Sequence, residues 1–200
     1  MRYLARIALS QGDHQATERY LQEALDIYEE LGLRGLKAEA LSELGYVLVS
    51  TGNYHAAVQL AEDSLRICGE QDHKGGMIEA NIVLGEATLG MSDLESAAKY
   101  FRQAIMIAND TWRQPKGHHA LAGLTRLLAV QGDKEGAYRL GCFVFSNPAS
   151  WQWSKDLVAD LLANLETELS PESVSASQEW GENKQFEEVA SHYLSTETIM

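Results

Sequence analysis

The stretch LGYVLVSTGNYHAAVQLAEDSL, residues 44–65, contains the features that decide the fold. Gly52 and Asn53 stand at its centre. Glycine tolerates a left-handed turn, and the asparagine amide accepts hydrogen bonds from the free N–H groups of a following helix. Two small residues, Gly45 and Ala57, lie on either side of this turn and allow antiparallel helices to approach closely. The stretch therefore predicts a helical hairpin.

This hairpin pattern recurs at an offset of forty residues, in four lines without a gap. Apolar residues recur at helical spacing and fill the seam between the helices. Such a hairpin cannot bury its apolar face alone, so successive hairpins are expected to stack into an all-α solenoid. The aligned columns are Leu4, Leu44, Leu84 and Leu124; Ala5, Gly45, Gly85 and Thr125; Gly12, Gly52, Ser92 and Gly132; Asp13, Asn53, Asp93 and Asp133; and Thr17, Ala57, Ala97 and Ala137.

These columns resemble the tetratricopeptide repeat, whose small–turn–small–small signature corresponds here to Gly45, Gly52-Asn53, Ala57 and Ser64. The period of forty residues exceeds the usual one of about 34. We expect the extra residues to lengthen the second helix of each hairpin and the link to the next hairpin.

The resemblance covers residues 1–145 and divides them into four hairpins, at about 1–33, 34–73, 74–113 and 114–145. It implies that the α-solenoid is right-handed. The first helices of the later hairpins are expected to begin near Arg34, Lys74 and Gln114. Residues 146–200 are expected to form a helical C-terminal cap with a frayed end from residue 195.

Composition and charge exclude several classes of function. Hydrophobic residues make up 45% of the chain and charged residues 22%, and no apolar run approaches the roughly 18 residues that cross a bilayer. The N-terminus is too interrupted for a signal peptide, so a cytoplasmic location is expected. A net charge of −13 repels a phosphate backbone, so direct nucleic-acid binding is not expected. Cys68 and Cys142 lie far apart and are expected to be buried, reduced thiols.

The first tail helix is expected to run from Trp151 to about Leu169, with Ser150 as its cap. Its leucine stripe should pack on the second helix of the fourth hairpin, through Leu140, Val144 and Phe145. Three tryptophans are expected to pack the tail onto this hairpin or, alternatively, to form a ligand platform: Trp112, Trp151 and Trp153. The stripe consists of Leu157, Leu161, Leu162, Leu165 and Leu169.

Two further tail helices are expected. Ser170 followed by Pro171 starts a helix that extends to about Trp180. Gly181 is expected to end it, and Asn183 to cap a last helix that reaches Leu194.

A narrower resemblance is carried by Gly132-Asp133, Ala137, Arg139-Leu140, Gly141-Cys142 and Trp180-Gly181. With the acidic tail, these positions are similar to the C-terminal end of large bacterial regulators of the LuxR/MalT and SARP types. In those regulators a tetratricopeptide array follows an ATP-binding switch domain of the signal-transduction ATPase class. The chain has no Gly-x4-Gly-Lys-Ser/Thr phosphate loop. The resemblance therefore implies a sensing array without its switch.

Residues for catalysis or metal binding are poorly represented. His118 and His119 are adjacent on a helix, so their side chains point about 100° apart and do not share a metal unaided. Cys142 lies in an apolar run and is expected to be a core residue rather than a nucleophile. We therefore expect no catalytic residues, no metal and no other cofactor.

A candidate binding groove follows from the resemblance, because first helices line the concave side of a tetratricopeptide superhelix. Family members that grip a peptide's terminal carboxylate use Lys, Arg and Asn there, whereas this chain has mostly acids. Such a groove suits a basic or amide-rich protein or peptide, and a merely solvated acidic face is the alternative. The outward positions are Glu39, Glu43, Tyr46, Glu79, Glu86, His119 and Arg126.

The expected function is non-catalytic protein or peptide recognition, as the C-terminal sensing or regulatory region of a bacterial signalling or transcriptional regulator. The alternative is a freestanding tetratricopeptide scaffold or peptide-pheromone receptor. Met1 lies three residues before Leu4, whereas later first helices begin ten residues before the matching leucine. The short first helix leaves Tyr3, Leu4 and Ile7 uncovered, and we expect upstream repeats or a second copy of the chain to cover them.

Overall fold

A computed structural model describes residues 1–195, which form eleven α-helices and contain no strand. The chain divides into two compact units, Met1–Ser92 and Asp93–Met200. The predicted fraying from residue 195 onward falls, apart from Ser195, outside the described residues. The helices are α1 Arg2–Ser10, α2 His14–Glu30, α3 Arg34–Ser50, α4 Tyr54–Glu70, α5 Lys74–Gly90, α6 Leu94–Asp110, α7 Gln114–Val130, α8 Lys134–Ser146, α9 Gln152–Glu166, α10 Pro171–Asn183 and α11 Phe186–Ser195.

Helix lengths are uniform through the repeats. The predicted starts at Arg34, Lys74 and Gln114 are confirmed. The expectation of a longer second helix and a longer link is wrong, because α2 to α7 all have 17 residues and all their links have three. The forty-residue repeat is thus made of two helix-plus-turn segments of equal length.

The turns within hairpins and the links between them share one backbone geometry. Every twentieth residue from Gly12 to Gly132 has a positive φ. In the turn after α3, Asn53 N donates to Leu48 O at 2.8 Å, and in the link after α4, His73 N donates to Cys68 O at 2.8 Å. The sequence pattern identified only the turns within hairpins. In the links between hairpins, Gly32 has the left-handed conformation once, and Asp72 and Trp112 adopt it in the other two links, where no glycine indicates a turn.

Aspartates cap the second helices as predicted, whereas the asparagine does not. Asp13 Oδ1 accepts from Ala16 N at 2.9 Å, and Asp93 and Asp133 make the equivalent bond in α6 and α8. Asn53 makes no side-chain cap bond, so α4 begins without one.

The small-residue columns of the first unit lie where helices approach most closely. A Cβ on Gly45 would lie 2.8 Å from Val83 Cγ1 and 3.7 Å from Ala57 O, and Ala57 is fully buried. Ser64 donates its hydroxyl proton to Ala38 O at 2.7 Å, and its oxygen lies 2.9 Å from Ser42 Oγ. Small side chains therefore set the distance between α3 and its neighbours α4 and α5.

In the second unit the tail helices cover the last hairpin. α9 packs on α7 and α8, α10 packs on α8, and α11 packs on α6. Ser170 caps α10 as predicted, by accepting from Ser173 N at 3.2 Å. Leu140 and Val144 are fully buried, whereas Phe145 is about half exposed.

Three further predictions about the tail are wrong. Ser150 does not cap α9, whose N-cap is Trp151 without a side-chain bond. Gly181 does not end α10 but lies inside it, where a Cβ would be 2.7 Å from Phe143 N. Asn183 is the last residue of α10 rather than the cap of α11. The glycine serves the close packing of α10 on α8, which local sequence does not reveal.

Candidate binding surface

An ion-pair cluster on α3 is the main polar feature of the first unit. Glu39 and Glu43, one helical turn apart, both bind the guanidinium of Arg2 on α1. Arg2 Nη1 donates to Glu39 Oε2 at 2.6 Å, while its Nη2 and Nε donate to the two oxygens of Glu43 at 2.6 and 3.0 Å. The hydrogen bond to Glu43 is the largest cause that raises the pKa of Arg2 above its usual value. The two predicted acids thus form a fitted arginine site.

Sequence reasoning missed Arg2, because its partners lie 37 and 41 residues away. All three side chains are half-buried, with 22–30% of their surface exposed. Such pairs are screened less than exposed ones, and the planar fork of arginine matches a carboxylate in two-point contact.

Tyr46 continues the same face of α3 toward α5. Its hydroxyl is buried, and burial together with the nearby carboxylates of Glu79 and Glu86 raises its pKa well above the usual value. The phenol is therefore neutral. Glu79 is half-buried and Glu86 is buried, so the exposure expected for Glu86 is not found. The predicted groove residues of the first unit all lie on α3 and α5, which pack on each other: Glu39, Glu43, Tyr46, Glu79 and Glu86.

The two predicted residues of the second unit, His119 and Arg126, lie on α7. His119 is buried rather than outward-facing, because α9 covers it. Its Nδ1 lies 3.0 Å from Ser154 Oγ, and its ring stacks on Trp153 with 4.6 Å between centroids. Burial and the charge of Arg126 lower the pKa of His119 to about 4. Arg126 is half-buried. His119 therefore holds the tail in place and has no open face for a ligand.

His118 is also a packing residue. It is 0% exposed, and its ring lies 5.1 Å from that of Phe143 and 5.2 Å from that of Phe186. Burial and the charge of Lys155 lower its pKa to about 4. The neutral imidazole acts as an aromatic side chain between α8 and α11. No group of three or more His, Cys, Asp or Glu side chains within residues 1–195 is placed to hold a metal ion.

The cysteines and tryptophans have structural surroundings. Cys68 and Cys142 are buried and are not joined in a disulfide, and burial raises the pKa of the Cys142 thiol to about 11, which keeps it protonated. Trp153 stacks on His119 of α7, as predicted for a residue that packs the tail onto the fourth hairpin, and Trp151 lies 5.1 Å from Trp153. Trp112 does not serve this purpose, because it is 76% exposed in the link before α7.

Successive antiparallel hairpins with small residues at their contacts define the class of helical repeat proteins. A family model for the tetratricopeptide repeat matches residues 1–70 and 36–110, and the chain belongs to this family. Tetratricopeptide repeats are protein-interaction modules. A search of curated proteins found no match. Among the described helices, none has the length and apolar character that crossing a membrane requires.

Proposed function

We propose that the chain is a non-catalytic recognition module that binds a basic protein or peptide on the acidic face of α3 and α5. The observation that carries the proposal is the arginine site on α3, where Glu39 and Glu43 hold the Arg2 guanidinium through three hydrogen bonds. A partner's arginine has the same donors as Arg2 and competes with it for the same carboxylates.

The charge of the first unit supports a basic partner. Residues 1–92 contain fourteen acidic and seven basic side chains, a net charge of −7. A surface of this sign attracts a basic segment before contact and makes the rate of association depend on salt.

The proposal is tested by fluorescence anisotropy with a labelled peptide of alternating glycine and arginine. Arg2→Ala should bind it about tenfold more tightly than the wild type, because the competing guanidinium is gone. The double variant Glu39→Gln/Glu43→Gln should lose the binding, whereas Glu23→Gln/Glu62→Gln, with the same net charge, should keep it. A lysine peptide should bind more weakly than the arginine peptide, since it lacks the planar fork. Equal affinities across the four proteins would refute the proposal.

In a wider context we propose that this module is the sensing or regulatory region of a cytoplasmic bacterial signalling or transcriptional regulator. The support is the resemblance of the last hairpin and tail, whose motif residues pack on one another. Arg139 lies over the Trp180 ring at 5.7 Å, and Gly141 admits Leu162 of α9. A freestanding scaffold or peptide-pheromone receptor is the alternative. The coding sequence upstream of Met1 distinguishes them, since an in-frame ATP-binding domain favours the regulator.

Self-association through the N-terminal edge is a further part of this proposal. On α1, Tyr3 is 80% exposed, and Leu4 and Ile7 are about half exposed. Exposed apolar faces of this kind mark interaction sites. Light scattering on the 200-residue chain should show a concentration-dependent mass that Leu4→Lys/Ile7→Lys reduces to that of a monomer. A monomeric wild type at all concentrations would refute self-association.

A further inference from the structure

A cleft in the first unit lies between α2, α3 and α4, with a volume of about 380 Å³. Its floor is apolar and its rim is charged. Two ion pairs lie at the rim, Lys37 with Glu29 and Arg66 with Asp63. The floor consists of Leu25, Leu41, Leu44, Leu60 and Ile67, and the rim of Gln22, Asp26, Glu29, Lys37, Asp63 and Arg66.

This cleft is separate from the acidic face described above. Leu41 and Leu44 lie on one side of α3, whereas Glu39 and Glu43 lie roughly opposite at about 100° per residue. The cleft therefore represents a second candidate surface on the same hairpin.

The equivalent groove of the second unit, eighty residues later, is bounded by α6, α7 and α8. Its floor residues Ile105, Leu121 and Leu124 are all 0% exposed, whereas Leu25, Leu41 and Leu44 retain 6–7%. The tail helix α11 packs along α6 beside this groove. It buries an apolar stripe with helical spacing: Phe186, Val189, Ala190 and Tyr193.

Contacts at equivalent positions show how α11 is held. Gly117, which corresponds to Lys37, admits the Phe186 ring, since a Cβ there would lie 2.2 Å from it. Arg102, which corresponds to Gln22, donates to Leu194 O at the end of α11. The groove of the second unit is thus filled by α11, whereas the equivalent groove of the first unit has no such helix among the described residues.

From this comparison we infer that the cleft between α2, α3 and α4 docks an amphipathic helix of a partner protein. The partner helix has an apolar stripe spaced like that of α11 and basic residues beside it. Helix-in-groove recognition of this kind uses anchors at i, i+3, i+4 and i+7.

Charge determines which helix fits. Asp26 and Asp63 replace the apolar Met106 and Phe143 of the second unit, and Gln22 stands where the filled groove has the cation Arg102. The other rim positions are Glu29, Lys37 and Arg66, where the second unit has Asn109, Gly117 and Ser146. The open rim therefore has a net charge of −1 and the filled one +1. α11 carries Glu187 and Glu188 in its first turn, so a second copy of this chain would place like charges at the acidic rim. A basic helix from another protein is complementary.

The probe is a fluorescein-labelled peptide of residues 184–195 that carries Glu187→Lys and Glu188→Lys. It keeps the apolar stripe of α11 and reverses its charge. Full-length protein should bind it saturably in an anisotropy titration, about tenfold more tightly than it binds the native acidic peptide. The short peptide gains helix on binding, which circular dichroism measures.

Two charge-matched variants locate the site. Asp26→Lys/Asp63→Lys reverses the rim and should weaken binding of the lysine peptide at least about tenfold, while binding of the native peptide improves. Glu23→Lys/Glu62→Lys changes the net charge equally on exposed positions outside the cleft, and should weaken binding by less than about threefold. Circular dichroism confirms that both variants are folded.

The inference is overturned if the lysine peptide shows no saturable binding, or if the two variants weaken it equally. Equal affinity for the native acidic peptide would also overturn it, because the occupant would then be α11 of a second copy.

Discussion

Acid should loosen the tail of this protein through two adjacent histidines. His118 and His119 lie on α7 and contact different elements: His118 contacts α8 and α11, and His119 contacts α9. Burial, together with the charge of Lys155 near His118 and of Arg126 near His119, lowers the pKa of each histidine to about 4. Protonation in the folded state places a charge among aromatic rings that cannot solvate it.

The sign and size of the effect follow from linkage. The unfolded chain has histidine pKa values of about 6.5, so between pH 6.5 and 4 it binds more protons than the folded chain. The free energy of unfolding is therefore fully retained above pH 6.5 and falls as the pH decreases. With a folded-state pKa of about 4, each histidine lowers the free energy of unfolding by about 2 kcal/mol at pH 5 and by about 3 kcal/mol below pH 4, relative to pH 7. Below pH 4 both states are protonated and the loss no longer grows.

Urea unfolding, followed by circular dichroism at pH 7, 6 and 5, measures this loss. Carboxylates also titrate near pH 5, so the loss of stability in the wild type is compared with the loss in histidine variants, which keep the same carboxylates. His118→Phe and His119→Gln should each reduce the loss between pH 7 and pH 5 by about 2 kcal/mol. His55→Gln changes an exposed histidine and should leave it unaltered. If His118→Phe has the same pH dependence as the wild type, the burial argument is refuted.

Three other predictions concern packing. In urea unfolding, Ala57→Leu should lower the free energy of unfolding by about 1–3 kcal/mol because the residue is fully buried. Gln59→Leu, on the exposed face of the same helix, should lower it by less than about 0.5 kcal/mol. The reverse order would disprove the register. Gly181→Ala should destabilise by about 1–3 kcal/mol, whereas Gly69→Ala, in a helix with nothing within 4 Å, should stabilise by up to about 1 kcal/mol. Truncation after Asn147 removes the helices that cover α6 to α8 and should cause aggregation or loss of cooperative unfolding; a soluble product with unchanged melting would contradict this.

Much of the repeat architecture could be predicted from the sequence because its determinants are local. A left-handed residue followed by a capping aspartate ends one helix and begins the next within three residues. The first helices therefore start where predicted, and the alanines of the small-residue column are buried. The equal helix lengths were missed because Asp72 and Trp112 adopt turns that glycine marks elsewhere.

The candidate site depended more on the tertiary structure. Helical spacing placed Glu39, Glu43 and Tyr46 together on α3, but it did not reveal Arg2 as the partner of the two acids. The cation comes from a different helix, and ion pairs between helices leave no periodic signal in the sequence. The burial of Glu86 likewise depends on neighbours of α5.

Local sequence is enough to predict where the repeat helices begin and which residues face the hairpin partner, because hydrogen bonding and side-chain size at the turns act within a few residues. The place of Gly181 within α10 and the burial of His119 depend instead on distant contacts. A glycine serves equally to end a helix or to admit another, and a histidine on α7 is exposed or buried according to whether α9 lies on it. Those outcomes depend on contacts between segments 35 to 40 residues apart, and the free energy of such contacts comes from burial that no local pattern encodes.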